Sequence, residues 1–282
     1  MATVARFSPG NQLLKSLSTA DIELLAPHLM TIVLRVPRDL EQPNKKIREV
    51  YFPDTGVASV VAINPGGAEV EVGVIGCEGM SGLAVILGNE QSPHSTYVQI
   101  AGRGMRISAS DLRDAMGQSC SLRSLLFRYV QTFMVQTAHT AIANARATLA
   151  QRLARWLLMA HDRVASEKLS LTHEFLSLMM GVRRAGVTEA LHELAHLNLI
   201  KATRGEITVL NRRGIEKMAG SYYGAPELSI VVWWFRANRI LVQFRTEFRK
   251  SDSLFHSKSL VDPCLVTAFP DGRGPNTCSR LK

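Results

Sequence analysis

The chain has 282 residues, 46% of them apolar, and a net charge of +9. At roughly 100–200 residues per domain, this length suggests about two domains with ordinary cores. No run approaches the ~20 apolar residues of a membrane span, and the N-terminal stretch MATVARFSPGNQLLKSL lacks a long apolar region and a small-residue cleavage site, so a cytoplasmic protein with no membrane partner is expected. Cys77, Cys120, Cys264 and Cys278 lie far apart with no C-x-x-C pair. That spacing argues against a disulfide framework or a zinc ribbon. The charge is unevenly placed. Residues 1–143 carry 12 Lys/Arg against 12 Asp/Glu, residues 144–224 carry 12 against 7, and residues 225–282 carry 9 against 5. A neutral first half joined to a basic second half points to a polyanion partner for the latter, with a merely solvated basic surface as the plain alternative.

In chain order, residues 11–27 carry two short amphipathic helical patterns, with Ser18 or Thr19 as N-cap of the second. The period then shortens. Thr31–Val36, Glu49–Phe52, Val57–Ile63, Glu69–Ile75, Tyr97–Ile100 and Met105–Ile107 are short runs rich in β-branched residues, and Pro53–Gly56, Asn64–Gly67 and Gly102–Gly104 read as turns between them. Val70, Val72 and Val74 alternate with Glu69, Glu71 and Gly73, the pattern of a half-buried strand. Many short strands at even spacing suggest a small β-barrel or jelly roll. From Ser110 the period is helical, first in a short helix and then in a long one over 119–143. We assign its row Leu122, Leu126, Tyr129, Phe133 and Thr137 to a dimer seam. Leu125, Val130, Met134, Ala138 and Ala141 widen the apolar face, which calls for two partners, the helix's own barrel and a second subunit. Residues 145–162 form another amphipathic helix, with Leu149, Leu153, Trp156, Leu157 and Ala160 on one face.

Residues 170–210 carry the sharpest pattern. Thr172 caps a helix whose inward face is Leu176, Met179 and Met180, Gly181 makes a tight turn, and a second helix from about Arg183 turns Val187, Leu191 and Leu194 inward. Lys201–Leu210 reads as a two-stranded wing turning at Thr203–Gly205. A recognition helix enters the major groove N-terminus first. That places Arg183, Arg184, Thr188 and Glu189 at the groove, with Arg184 as the reader of guanine, Arg183 at a base or a phosphate, and Thr172, Thr203 and Arg204 at phosphates.

The stretch from Leu171 to Lys201, with YFPDTGVASVV at 51–61 and IGCEGMSGL at 75–83, resembles the Crp/Fnr family of transcription regulators over roughly residues 10–220. The resemblance implies an α+β fold. Residues 1–118 would be a cyclic-nucleotide-binding-like β-roll sensor, 119–143 a dimerisation helix and 144–222 a winged helix-turn-helix. It also implies a homodimer on a near-palindromic double-stranded DNA site that recruits or blocks RNA polymerase. Two departures bear on the effector. The Gly-Glu pair of cyclic-nucleotide-binding members appears as Gly79-Met80, and their Arg-Ser pair as His94-Ser95. Without its Arg, a phosphate pocket loses its main charge-assisted partner, so cyclic AMP is not expected to bind. Gly79, Met80, Ser81, Gly82, His94 and Ser95 would line a pocket for another effector, whose identity stays open. The N-terminal cysteine cluster of iron–sulfur members is missing, so no such cofactor is expected. Ala185 stands where many members carry Glu, so no operator sequence follows.

His192-Glu193-Leu194-Ala195-His196 matches the H-E-x-x-H zinc-hydrolase motif. The same residues lie inside a helix already explained by helix-turn-helix packing, and no enzyme and no metal site are expected. The other alternative is a ligand-sensing or scaffold protein whose winged helix binds a protein. Residues 223–282 form an atypical basic tail, with the apolar island SIVVWWF, to which no function is assigned.

Overall fold

The computed structural model describes residues 10–164 and 166–224, which fall within one compact body. From residue 225 onward, the tail lies outside the described residues. Helices α1 (Gln12–Lys15) and α2 (Thr19–Leu25) come first, capped by the side chains of Asn11 and Ser18. Strands β1 (Met30–Leu34), β2 (Arg38–Glu41), β3 (Glu49–Ile63), β4 (Glu69–Ile75) and β5 (Ser95–Ser108) follow, with the one-turn helix α3 (Leu83–Ile86) between β4 and β5. They form one antiparallel sheet in the order β1-β5-β3-β4, and β2 also pairs with β5.

Runs separate in the sequence are continuous in the fold. Glu49–Phe52 and Val57–Ile63 are one strand, β3, and Tyr97–Ile100 and Met105–Ile107 are one strand, β5. Pro53–Gly56 and Gly102–Gly104 do not turn the chain back; they face each other across the β3–β5 ladder, where the register shifts. Gly56 has φ +90, and a Cβ on it would come within 2.6 Å of the Ile100 carbonyl oxygen. Such glycines let two backbones close up and bend together. Asn64–Gly67, by contrast, is a turn, closed by Gly67 N–H on the Asn64 carbonyl at 2.9 Å.

The helical half comprises α4 (Ala109–Gln118), α5 (Cys120–Arg146), α6 (Leu149–His161), β6 (Lys168–Ser170), α7 (His173–Met180), α8 (Arg184–His196), β7 (Ile200–Thr203), β8 (Glu206–Val209) and α9 (Arg212–Ala219). The expected long helix therefore runs three residues further, to Arg146. Its Tyr129 hydroxyl donates to the Met80 carbonyl at 2.8 Å, and its Gln136 side chain accepts the Val74 N–H of β4 at 2.7 Å. These bonds fix which face of α5 lies on the sheet, and they correct the seam assignment. Leu122, Leu126, Tyr129 and Phe133 are at most 9% exposed, inside the protomer's own core, and Thr137 is half-buried with its hydroxyl on the Phe133 carbonyl. Apolar spacing shows how wide the buried face is but not which part meets the chain's own sheet.

β4 departs from its pattern for a related reason. Val70 and Val72 are only partly covered, whereas Glu71 is 5% exposed. The helical half packs against this strand, so its polar face is covered as well. One hydrophobic cluster runs from Val57, Val61, Val74 and Ile100 of the sheet through Leu153, Trp156 and Leu157 of α6 to Leu176, Leu191 and Leu194 of α7 and α8. The Tyr97 and Phe175 rings meet edge to face at 6.1 Å across this seam, and Arg163 pairs with Glu78 at 2.7 Å.

Candidate nucleic-acid interface and sensor pocket

The helix-turn-helix is built from α7 and α8. The Thr172 hydroxyl accepts the Phe175 N–H at 3.2 Å, satisfying one of the donors that a helix start leaves open. At the other end of α7, Gly181 has φ +60 and sends its N–H to the Leu178 carbonyl at 3.1 Å, while Val182 N–H reaches the Ser177 carbonyl at 3.0 Å. A left-handed residue here reverses the chain in three residues, and α8 begins directly after Arg183. Leu176, Met179 and Met180 of α7 and Val187, Leu191 and Leu194 of α8 are buried, as their spacing predicts. That burial turns the opposite face of α8 outward.

Arg183, Arg184, Ala185 and Glu189 lie at the start of α8, and all four are exposed. Among the described residues, neither arginine is held in an ion pair. Thr188 is placed differently. Its hydroxyl donates to the Arg184 carbonyl at 3.1 Å and lies 3.1 Å from His173 Nδ1. It thus ties the start of α8 to the start of α7. Thr172 is exposed but engaged as a cap, and Thr203 is exposed with its hydroxyl on the Glu206 carbonyl at 3.3 Å. Arg204 is exposed at the hairpin tip between β7 and β8, beside Gly205 at φ +78. The wing has a third strand the sequence reading missed, β6, paired with β8 through Leu169 and Ile207. Only three residues long, it carries no readable period.

His192, Glu193 and His196 of the H-E-x-x-H stretch stand on the side of α8 away from the core, while Leu191 and Leu194 are buried. No group of three or more metal-ligating side chains occurs among the described residues, and no helix there is long and apolar enough to cross a membrane.

The pocket residues lie in two places. Met80 and Ser81 are buried beside Gly79 and Gly82, whereas His94 and Ser95 are half-buried. The Asn11 amide donates to the Gly79 carbonyl at 2.8 Å, Tyr129 caps Met80, and the Ser81 hydroxyl accepts the Tyr51 N–H at 3.0 Å. The link between the two groups is Glu41, which the sequence reading missed. Its carboxylate accepts the Gly82 N–H at 2.7 Å and a hydrogen bond from the Thr96 hydroxyl, next to Ser95. Burial raises the Glu41 pKa against those two bonds. An acidic side chain thus occupies the Gly82 N–H and the Thr96 hydroxyl. The missed signal was an acidic residue in a short strand next to apolar Leu40.

Residues 151–218 match the family model of the Crp-like helix-turn-helix domain. Among solved structures, a protein from Eubacterium rectale assigned as a transcriptional regulator of the Crp/Fnr family is 19% identical. The match covers 74% of this chain and 98% of that one, with a TM-score of 0.59. FixK2 from Bradyrhizobium japonicum is 15% identical over 68% of this chain and 98% of its own, at a TM-score of 0.57. A CRP-family transcriptional regulator from Thermus thermophilus is 16% identical over 70% and 99%, also at 0.57. At these identities the likeness is one of fold. No curated protein sequence matches the chain. The chain has the fold of the Crp/Fnr regulators, and its residues 151–218 match the Crp-like helix-turn-helix domain family.

Proposed function

We propose that this chain is a sequence-specific DNA-binding transcription regulator that acts as a homodimer on a near-palindromic site. The observation that carries the reading is the outward placement of Arg183 and Arg184 at the N-terminal end of α8, on a helix whose other face is locked into the core. Arg184 reads a base edge through the bidentate guanine contact open to Arg. Arg183, Arg204 and Thr203 hold phosphates, while Ala185 and Glu189 meet neighbouring bases or methyl groups. Thr172 and Thr188 hold the two helices in place. RNA polymerase is the further partner by which bound DNA would be read out. No catalytic step belongs to this reading, and the protein would work in the cytoplasm.

The second subunit is expected on α5. Phe127, Gln131, Met134, Ala138, Ala141 and Ala145 lie at spacings of 4, 3, 4, 3 and 4 on the side of α5 away from the sheet. That is the repeat of a coiled-coil seam, and its self-complementary use gives the two-fold axis a palindrome needs. The effector is expected to be something other than cyclic AMP, because Met80 and His94 stand where cyclic-nucleotide-binding members carry Glu and Arg, and Glu41 occupies the Gly82 N–H. A mobility-shift titration across salt tests the DNA reading. Log affinity should fall by about 0.9 per neutralised phosphate for each unit of log salt, and a flat dependence would count against it.

A further inference from the structure

The sensor sheet and the DNA-binding half meet across one buried carboxyl group. Glu71 of β4 accepts the Trp156 indole N–H of α6 on Oε1 at 2.7 Å, and its Oε2 lies 2.5 Å from Ser59 Oγ of β3. Ser59 Oγ also lies against Gln99 Oε1 of β5. Ser59 and Gln99 are 0% and 3% exposed. Ser59 has one hydroxyl hydrogen and two oxygen neighbours. With Gln99 Oε1 facing Ser59, an ionised Glu71 sets acceptor against acceptor in one of those contacts; with the amide turned, the Gln99 Nε2, which has no partner as placed, would donate to Ser59 and satisfy the ionised form as well. If Glu71 carries a proton, the chain closes: Glu71 donates to Ser59, Ser59 donates to Gln99, and Trp156 donates to the other carboxyl oxygen.

The charges facing this group are few. α6 contributes Arg155 and Arg152, the segment after it contributes Arg163, which is paired with Glu78, and β5 contributes the Tyr97 hydroxyl. From α5 come Thr140 and Asn144, and from α7 Met179 and Met180, which share a small cavity with Glu71. Burial outweighs the bonds from Ser59 and Trp156 and the attraction of Arg155 and Arg163, and pushes the carboxyl up to about 7.

We propose that Glu71 is a proton-operated latch: protonated, it holds Trp156 and the DNA-binding half docked on the sensor sheet, and ionised, it favours their separation. Once separated, Glu71 faces water and returns toward its ordinary value of 4.5. Docking therefore takes up a proton. Its contribution is complete below about 4.5 and is lost as pH rises through about 7. Between about pH 6 and pH 8 the docked-to-separated ratio should fall roughly tenfold. The latch regulates the DNA-binding reading given above, but its chemistry is measurable without DNA.

The test follows the indole N–H signals of the full chain by proton–nitrogen NMR, with Trp156→Phe identifying that of Trp156. A Trp156 signal that titrates with a midpoint within about a unit of 7, and is pH-independent in Glu71→Gln, is the expected result. A signal flat from about pH 5.5 to 8.5, a midpoint near 4.5, or an unchanged titration in Glu71→Gln would overturn the proposal. Should Glu71→Gln fail to fold, carboxyl-carbon labelling of glutamate in the unmutated chain decides the matter, because one carboxyl must then titrate near 7. A protein that shows this titration but binds DNA at no pH would refute the DNA reading and leave the latch standing.

Discussion

The two faces of α5 make opposite predictions for neighbouring residues. Met134 is 60% exposed and Phe133 is 9% exposed in the protomer. Replacing Met134 with Glu would set two carboxylates near each other across the two-fold axis. At a separation of about 6 Å and an effective dielectric near 20, their repulsion is about 3 kcal/mol. Losing the burial of two Met side chains adds about 1 kcal/mol each, since each is only partly exposed beforehand. The sum, about 5 kcal/mol, weakens the dimer by between three and four decades in Kd. The protomer itself should change by less than about 0.5 kcal/mol, because an outward side chain has little to lose on folding. Phe133→Glu should instead place a charge in the protomer's core and unfold it. Sedimentation velocity across a dilution series, with circular dichroism on the same samples, separates the two. Folded monomers of Met134→Glu together with unfolded Phe133→Glu fit the geometry. A Met134→Glu dimer of unchanged affinity, or folded monomers of Phe133→Glu, would refute the reasoning.

The other predictions rest on single contacts. Arg184→Ala should lower discrimination at one symmetric base pair by roughly 1–3 kcal/mol, read by competition with single-base operator variants. Retained selectivity would remove Arg184 as the reader. Gly79→Ala would bring a Cβ within 2.5 Å of the Tyr129 hydroxyl oxygen and push α5 off the turn that it seals; a loss of about 1–3 kcal/mol in denaturant unfolding is expected, and an unchanged midpoint would show that this seal is loose. Cyclic AMP should give no heat in a calorimetric titration, because Glu41 stands on the Gly82 N–H. Micromolar binding would mean that the Glu41 carboxylate can be displaced.

What could be read from residues alone was what local chemistry decides. Thr172, Gly181 and the Val187–Leu191–Leu194 spacing define a cap, a turn and an inward face within about twenty residues, and the structure reproduces all three. The α+β architecture follows from the change of period near residue 110. What could not be read depends on a surface distant in the chain. Glu71 looked like the wet side of a strand because nothing local announces that α6 will cover it. Leu122 and Phe133 were placed on the wrong partner because a wide apolar face does not name its neighbours. Glu41 was passed over because an acidic residue in a four-residue strand ordinarily faces solvent. Gly102 and Gly104 read as a turn because glycine marks close backbone approach and chain reversal alike.

The central claim is that the outward tip of α8 reads DNA. The direct measurement is selection of bound duplexes from a random-sequence pool by the full chain, beside the Arg183→Ala, Arg184→Ala double variant. The unmutated chain should enrich a near-palindrome with half-sites centred about one helical turn apart, and the folded double variant should not. Equal enrichment by both, or no enrichment by the unmutated chain, would contradict the account.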